Sequence, residues 1–346
     1  MITHVLSLTR WEWYKLRRHR MAWILLAIAI VMTQIAFWGG YASYRSGVTF
    51  EQAIFAASET QNGQTVQIIV TCGDIEAGTL PPEIDDFSEE RRRQLLEDIA
   101  RFEADACQAL IEARRELREA LTLPYSIGLS LGLVSSLGAI LVVILASSTI
   151  GIEYGLGTLR TTLSKGIGRW QFIVSKALLL TLLSAAALLV VSLSIAVSST
   201  IAALTLGDAA VAADSGAWPD VAIVYGKTVY GLIPYVVLAM FFAVLTSSSG
   251  VGIAIVLGYY FAERIVVAIL FNFDWFKNVA DFVLGRAVDG WISSDGGLSI
   301  ELGTSAAGEL PDALHGFLVM LGYILILGAL TFWLFQRRDI TGAKGD

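Results

Sequence analysis

Six apolar runs, each long enough to cross a bilayer, constrain this chain more than any other feature. They are Met21 to Tyr41, Ile127 to Ser148, Phe172 to Leu206, Val221 to Thr246, Gly250 to Phe271 and His315 to Phe335. About 20 apolar residues span the hydrocarbon core as a helix. No water is present there to bond the backbone, so such runs must be helices. The composition agrees: 16% of residues are charged, against about 25% in soluble domains, and the mean hydropathy is +0.65. The expected fold is an all-α integral membrane protein, a six-helix transmembrane bundle. The first run follows a 20-residue leader and has a long core, so it is expected to remain as an anchor rather than be cleaved.

Sidedness follows from Lys and Arg in the short connections. Segment 1–20 carries Arg10, Lys15, Arg17, Arg18 and Arg20 against Glu12. The connection between spans two and three carries Arg160, Lys165, Arg169 and Lys176 against Glu153, and the 337–346 tail carries Arg337, Arg338 and Lys344. The connection after span three, Gly207 to Asp220, has acids and no base, and in 272–314 acids outnumber Lys277 and Arg286. Both termini and the 151–171 connection are therefore expected in the cytoplasm of a multi-pass plasma (inner) membrane protein, which needs an even number of spans. The weakest boundary is the uncharged turn at Thr246 to Gly250. The net charge of −7 offers no basic face for nucleic acid.

The N-terminal segment 1–20 mixes Leu6, Leu8, Trp11, Trp13, Tyr14 and Leu16 with its bases, the pattern of an amphipathic helix lying in the interface. Segment 45–123, between span one (21–41) and the bundle 124–336, is the only long polar piece and reads as a helical extracytoplasmic insertion. Leu95, Ile99, Phe102, Ala106, Ala109, Ala113 and Leu117 form one apolar stripe at three- and four-residue spacing. Ser88, Glu89 and Glu90 mark its start. The stripe packs on residues 48–70 or on a second copy, or else contacts a substrate. Both cysteines, Cys72 and Cys107, lie in this segment. They read as one disulfide or as two reduced, buried thiols. No His stands beside them, and His4, His19 and His315 are scattered, so no metal site is expected.

The connection after span two carries Glu153, then Gly157, Thr158, Leu159 and Arg160, then Arg169-Trp170-Gln171, with Lys176 entering span three. A short helix from about Gly157 to Ser164 would make a knob that a partner could grip. This pattern resembles the cytoplasmic signature of type-2 ABC exporter permeases. Two departures stand beside the likeness: the outer segment is far longer than in the compact exporters, and Gly166 replaces the usual proline. The resemblance implies that Glu153, Gly157, Thr158, Leu159, Arg160 and Arg169 dock on a separate ABC ATP-binding subunit. It also implies a second permease copy and no catalysis in this chain, with ATP and Mg held by the partner. Gly226-Lys227-Thr228 mimics the end of a phosphate loop, but Val221 stands where its first glycine belongs.

Lys227, Glu263 and Arg264 are ionisable residues within or near spans, where charge is costly. They read as interface snorkelling or a Lys227–Glu263 pair, or as a polar patch lining the exit of a translocation path. Residues 274–292, with Trp275, Phe276, Phe282, Leu284 and Trp291 among charges, read as interfacial helices inside an outer re-entrant or interfacial region, 272–314. The alternatives to a permease are a membrane enzyme acting on lipid-linked substrates, and a sensor or scaffold with an outer ligand domain. The topology is testable directly. Single cysteines at positions 157 and 77 in a Cys-free background should label from opposite sides, and labelling of both by an impermeant reagent in intact cells would contradict six spans with cytoplasmic ends.

Overall fold

The structure is a computed structural model describing residues 2–17, 20–46, 54–61, 64–76, 84, 88–102, 107–155, 168–206, 218–293 and 310–337. In chain order the elements are α1 (Ile2–Arg17), α2 (Arg20–Ser46), β1 (Ile54–Gln61), β2 (Gln64–Thr71), α3 (Cys72–Glu76), α4 (Glu89–Phe102) and α5 (Gln108–Leu121). They continue with α6 (Tyr125–Gly155), α7 (Arg169–Leu206), α8 (Trp218–Thr246), α9 (Ser249–Leu270), α10 (Asp274–Ala280), α11 (Leu284–Ser293) and α12 (Ala313–Arg337). Six of them, α2, α6, α7, α8, α9 and α12, are long and apolar enough to cross a membrane. The chain divides into one unit of residues 1–34, 127–198 and 213–346, and another of 35–126 and 199–212.

The first unit is a helical bundle centred on α8, whose Val224, Leu232, Tyr235, Val236, Met240 and Val244 are buried. This helix packs on α9, α11 and α12. Side-chain hydroxyls along the spans bond back to their own helices: Thr33 to the Ala29 carbonyl, Ser184 to Leu180, Thr331 to Leu327. In an apolar solvent that return is the nearest available satisfaction. The uncharged turn after Thr246 separates two helices. Ser247 takes a left-handed backbone with φ 54°, and Ser248 caps α9, its hydroxyl accepting from the Val251 N–H. The turn lies hard against the end of α6, where a β-carbon at Gly151 would collide with the backbone of Ser249.

Residues 274–292 divide into two behaviours. The short α10 buries Phe276 and Ala280 against Val267 and leaves Trp275 65% exposed, as an interfacial helix does. By contrast, α11 buries Leu284, Ala287, Val288 and Ile292 and packs on α8 and α12. It is an inner element of the bundle rather than a helix lying on a surface.

The second unit holds the insertion. An antiparallel hairpin pairs Ile54 with Thr71 and Gln61 with Gln64, so this part of the insertion is a pair of strands rather than the expected helix. The stripe predicted on one long helix is carried by α4 and α5, with residues 103–106 outside those described. Leu95 and Ile99 of α4 pack with Ile68, Val70 and Ile84. The short α3 is closed by reciprocal bonds: Asp74 accepts from the Thr71 N–H and hydroxyl, and the Asp74 N–H donates to that hydroxyl, the logic of a capping box. These bonds hold the Asp74 carboxyl below its usual range. Tyr41 and Thr205 share a hydrogen bond of 2.8 Å, and Ser199 donates to the Leu121 carbonyl, so the ends of α2, α5 and α7 are joined here.

A disulfide links Cys72 to Cys107, with Cα atoms 5.4 Å apart, and is enclosed by Ile75, Phe102 and Leu110. It closes a loop across a sequence separation of 35. In the chain-entropy model such a closure contributes about 3–4 kcal/mol. Replacing both cysteines by alanine should lower the unfolding temperature of the second unit, read by protection of its amides in hydrogen exchange, and leave the bundle unchanged. Equal protection with and without the bond would refute this.

Candidate functional site

A buried charge cluster joins α1, α6 and α7, with α12 packed beside it. On α1, Thr9, Glu12 and Leu16 are buried and lie one turn apart, while Trp11, Trp13 and Tyr14 are exposed. This is the face division that an amphipathic helix requires. Glu12 thereby points into the bundle. There Lys176 Nζ, two turns into α7, lies 3.0 Å from Glu12 Oε2 and 2.9 Å from Glu153 Oε1 at the end of α6. All three are buried, Lys176 to 3% exposure. The ammonium also sits 5.2 Å from the centre of the Phe172 ring.

The last span joins the same cluster. Phe172 stacks on Phe335 with ring centroids 5.6 Å apart. Arg169, the first residue of α7, donates to the carbonyls of Phe335 and Gln336 at 3.1 and 2.6 Å. It thus caps the C-terminus of α12, where cations are favoured. Of the sequence-predicted residues, Glu153 and Arg169 are brought to this cluster, both engaged inside the fold. Gly157, Thr158, Leu159 and Arg160, with the expected helix over 157–164, lie outside the described residues. Glu12 and Lys176 complete the cluster; Lys176 belongs to the resembling pattern, but sequence reasoning assigns neither residue a role in it. A lone acid in a basic helix and a lysine two turns into an apolar run were the available signals.

Lys227, Glu263 and Arg264 converge instead on α11. Glu263 accepts from the Gly285 N–H in its first turn, an approach so close that a β-carbon at position 285 would strike the carboxylate. Arg264 pairs with Asp289 through two bonds of 2.8 and 3.3 Å. Lys227 places its ammonium 5.0 Å from the Trp291 ring centre, and its carbonyl accepts from the Trp291 indole N–H. The expected Lys227–Glu263 pair is replaced by separate holds on the same helix. The partners that decide this, Gly285, Asp289 and Trp291, lie in a connection that no periodicity ties to the spans.

The family model for ABC-2 family transporter proteins matches residues 6–340. The chain belongs to the ABC-2 transporter family. No curated protein and no solved structure matches it. As an ABC-2 protein it is a multi-pass membrane permease subunit of an ABC transporter, and the family implies association with an ABC ATP-binding subunit.

The buried lysine makes this permease's cluster testable. Breaking a buried pair by removing one partner costs about 3–5 kcal/mol because a charge is left uncompensated. Lys176→Met should therefore lower the melting temperature of the purified protein markedly. Adding Glu12→Gln and Glu153→Gln should restore most of the loss. A Lys176→Met protein as stable as wild type would show that the contact contributes nothing.

Proposed function

We propose that this permease is the membrane-spanning subunit of an ATP-driven exporter. ATP and Mg are bound on a separate ATP-binding polypeptide, and two permease copies pair to form the path. Both termini and the 151–171 connection face the cytoplasm of the plasma membrane, in line with their basic residues.

The observation that carries this reading is the contact of Lys176 with Glu12 and Glu153. The connection 156–167 leaves α6 just after Glu153 and enters α7 shortly before Lys176. Its two roots are thus clamped together, and to the N-terminal helix, by a buried charge cluster. A connection on so stiff a base passes a push from a docked subunit into three helices at once. In this reading Arg160, with Gly157, Thr158 and Leu159, touches the ATP-binding subunit, while Glu153 and Arg169 are positioning residues that act through α7 and α12. Lys227, Glu263 and Arg264 are assigned to holding α11, which their contacts support, rather than to touching cargo.

The two roles separate experimentally. Losing a charge-assisted contact at an interface costs about 2–5 kcal/mol, so Arg160→Glu should reduce co-purification of the ATP-binding subunit at least tenfold. Glu153→Gln should leave that subunit bound and reduce ATPase activity of the assembled complex. Normal binding and activity in both variants would make 156–167 an ordinary connection and remove the main support for the proposal.

A further inference from the structure

The face where α1 leans on α7 and α2 carries two adjoining apolar grooves, both within the first unit. One, of about 200 Å³, is lined by residues that include Trp13, Trp23, Leu26, Leu141 and Val190. The other, of about 360 Å³, is lined by Thr9, Arg10, Trp13, Leu179, Leu182 and Leu183. Trp13 and Leu183 belong to both walls. The one hydroxyl in the first groove, Ser184, is already bonded to the Leu180 carbonyl. Apolar cavities of this kind stay dry and take up apolar matter; one of about 150 Å³ suffices for benzene. Leu182 and Leu189 beside them are half exposed, as lipid-facing side chains are.

Each groove has one arginine at its edge. Arg10 and Arg17 flank Trp13 at three- and four-residue spacing, so all three share one side of α1. Both arginines are exposed, and among the described residues no carboxylate pairs with either. The Trp23 indole N–H donates to the Arg17 carbonyl at 3.0 Å, which fixes a second tryptophan at the α1–α2 junction; tryptophan favours the headgroup level.

We infer that these paired grooves bind one anionic two-chain phospholipid of the surrounding leaflet. One acyl chain lies in each groove on either side of Trp13, and the phosphate sits between Arg10 and Arg17. Two grooves divided by one ring match the two chains of a glycerophospholipid. Two guanidiniums with no described carboxylate paired to them match its charge and disfavour a choline headgroup. The inference is independent of what the transporter carries and of which side of the membrane α1 occupies.

The test is native mass spectrometry of the full-length protein incubated with phosphatidylglycerol or phosphatidylcholine. Wild type should keep one phosphatidylglycerol after detergent removal and lose phosphatidylcholine, and added salt should weaken the retention. A surface arginine contributes roughly a fivefold factor toward anionic lipid, so Arg10→Gln with Arg17→Gln should reduce retention roughly 25-fold. Ala186→Trp, at an exposed position lining the first groove, should also abolish it without changing the melting temperature. Equal retention of the two lipids, or wild-type retention in either variant, would overturn the assignment. So would cross-linking of two copies through a cysteine placed at position 182, which would make the grooves a subunit interface.

Discussion

The core of a bilayer offers no hydrogen bonds, and that absence governs where the polar atoms of the spans go. Backbone groups are spent within helices. Hydroxyls on the spans, such as those of Thr33, Ser184 and Thr331, return to carbonyls of their own helix. Groups that cannot be satisfied locally are gathered into a few sets: Lys176 with Glu12 and Glu153, Arg169 with the end of α12, and Glu263 and Arg264 with α11. Each set joins elements distant in sequence. The cost of bringing charge into an apolar solvent is thus turned into specification of which helices meet.

The set around Lys176 has the widest reach, because α1, α6 and α7 all contribute a charge and α12 joins through Phe335. An amphipathic helix lying in an interface needs only its apolar side chains to stay there. Glu12 gives α1 something more, a fixed rotation about its own axis and a fixed neighbour. The same rotation sets Arg10, Trp13 and Arg17 side by side on the adjacent face.

The spans are legible in the sequence because their signal is long and redundant; the helices end at Leu206 and Thr246 where the apolar runs do, and the other boundaries differ by one to seven residues. Legible too was the likeness carried by Glu153 and its neighbours, which the family match supports over nearly the whole chain. The hairpin of residues 54–71 went unread, although Asn62-Gly63 stands between two strands of equal length and β-branched residues fill the second. Its inward face is short, with Ile68 and Val70 buried and Ile69 exposed, so the alternation spans too few residues to stand out. The burial of α11 was equally hidden. Ten residues with glycines at 285 and 290 give neither a span-length run nor a clear stripe, and their place is decided by side chains on α8, α9 and α12. Charges were the hardest to place: sequence spacing says that Lys227, Glu263 and Arg264 lie near spans, but not which carbonyl, ring or carboxylate they face.

Gly151 gives one more consequence. Because a β-carbon at position 151 would collide with the backbone and β-carbon of Ser249, the final turn of α6, which carries Glu153, rests directly on the head of α9. Glu263 and Arg264 lie about 20 Å further along that helix at 1.5 Å per residue, and they grip α11. A helix over that length behaves as a strut. Any residue larger than glycine at position 151 would therefore push apart the helix that carries Glu153 and the helix whose far end holds α11.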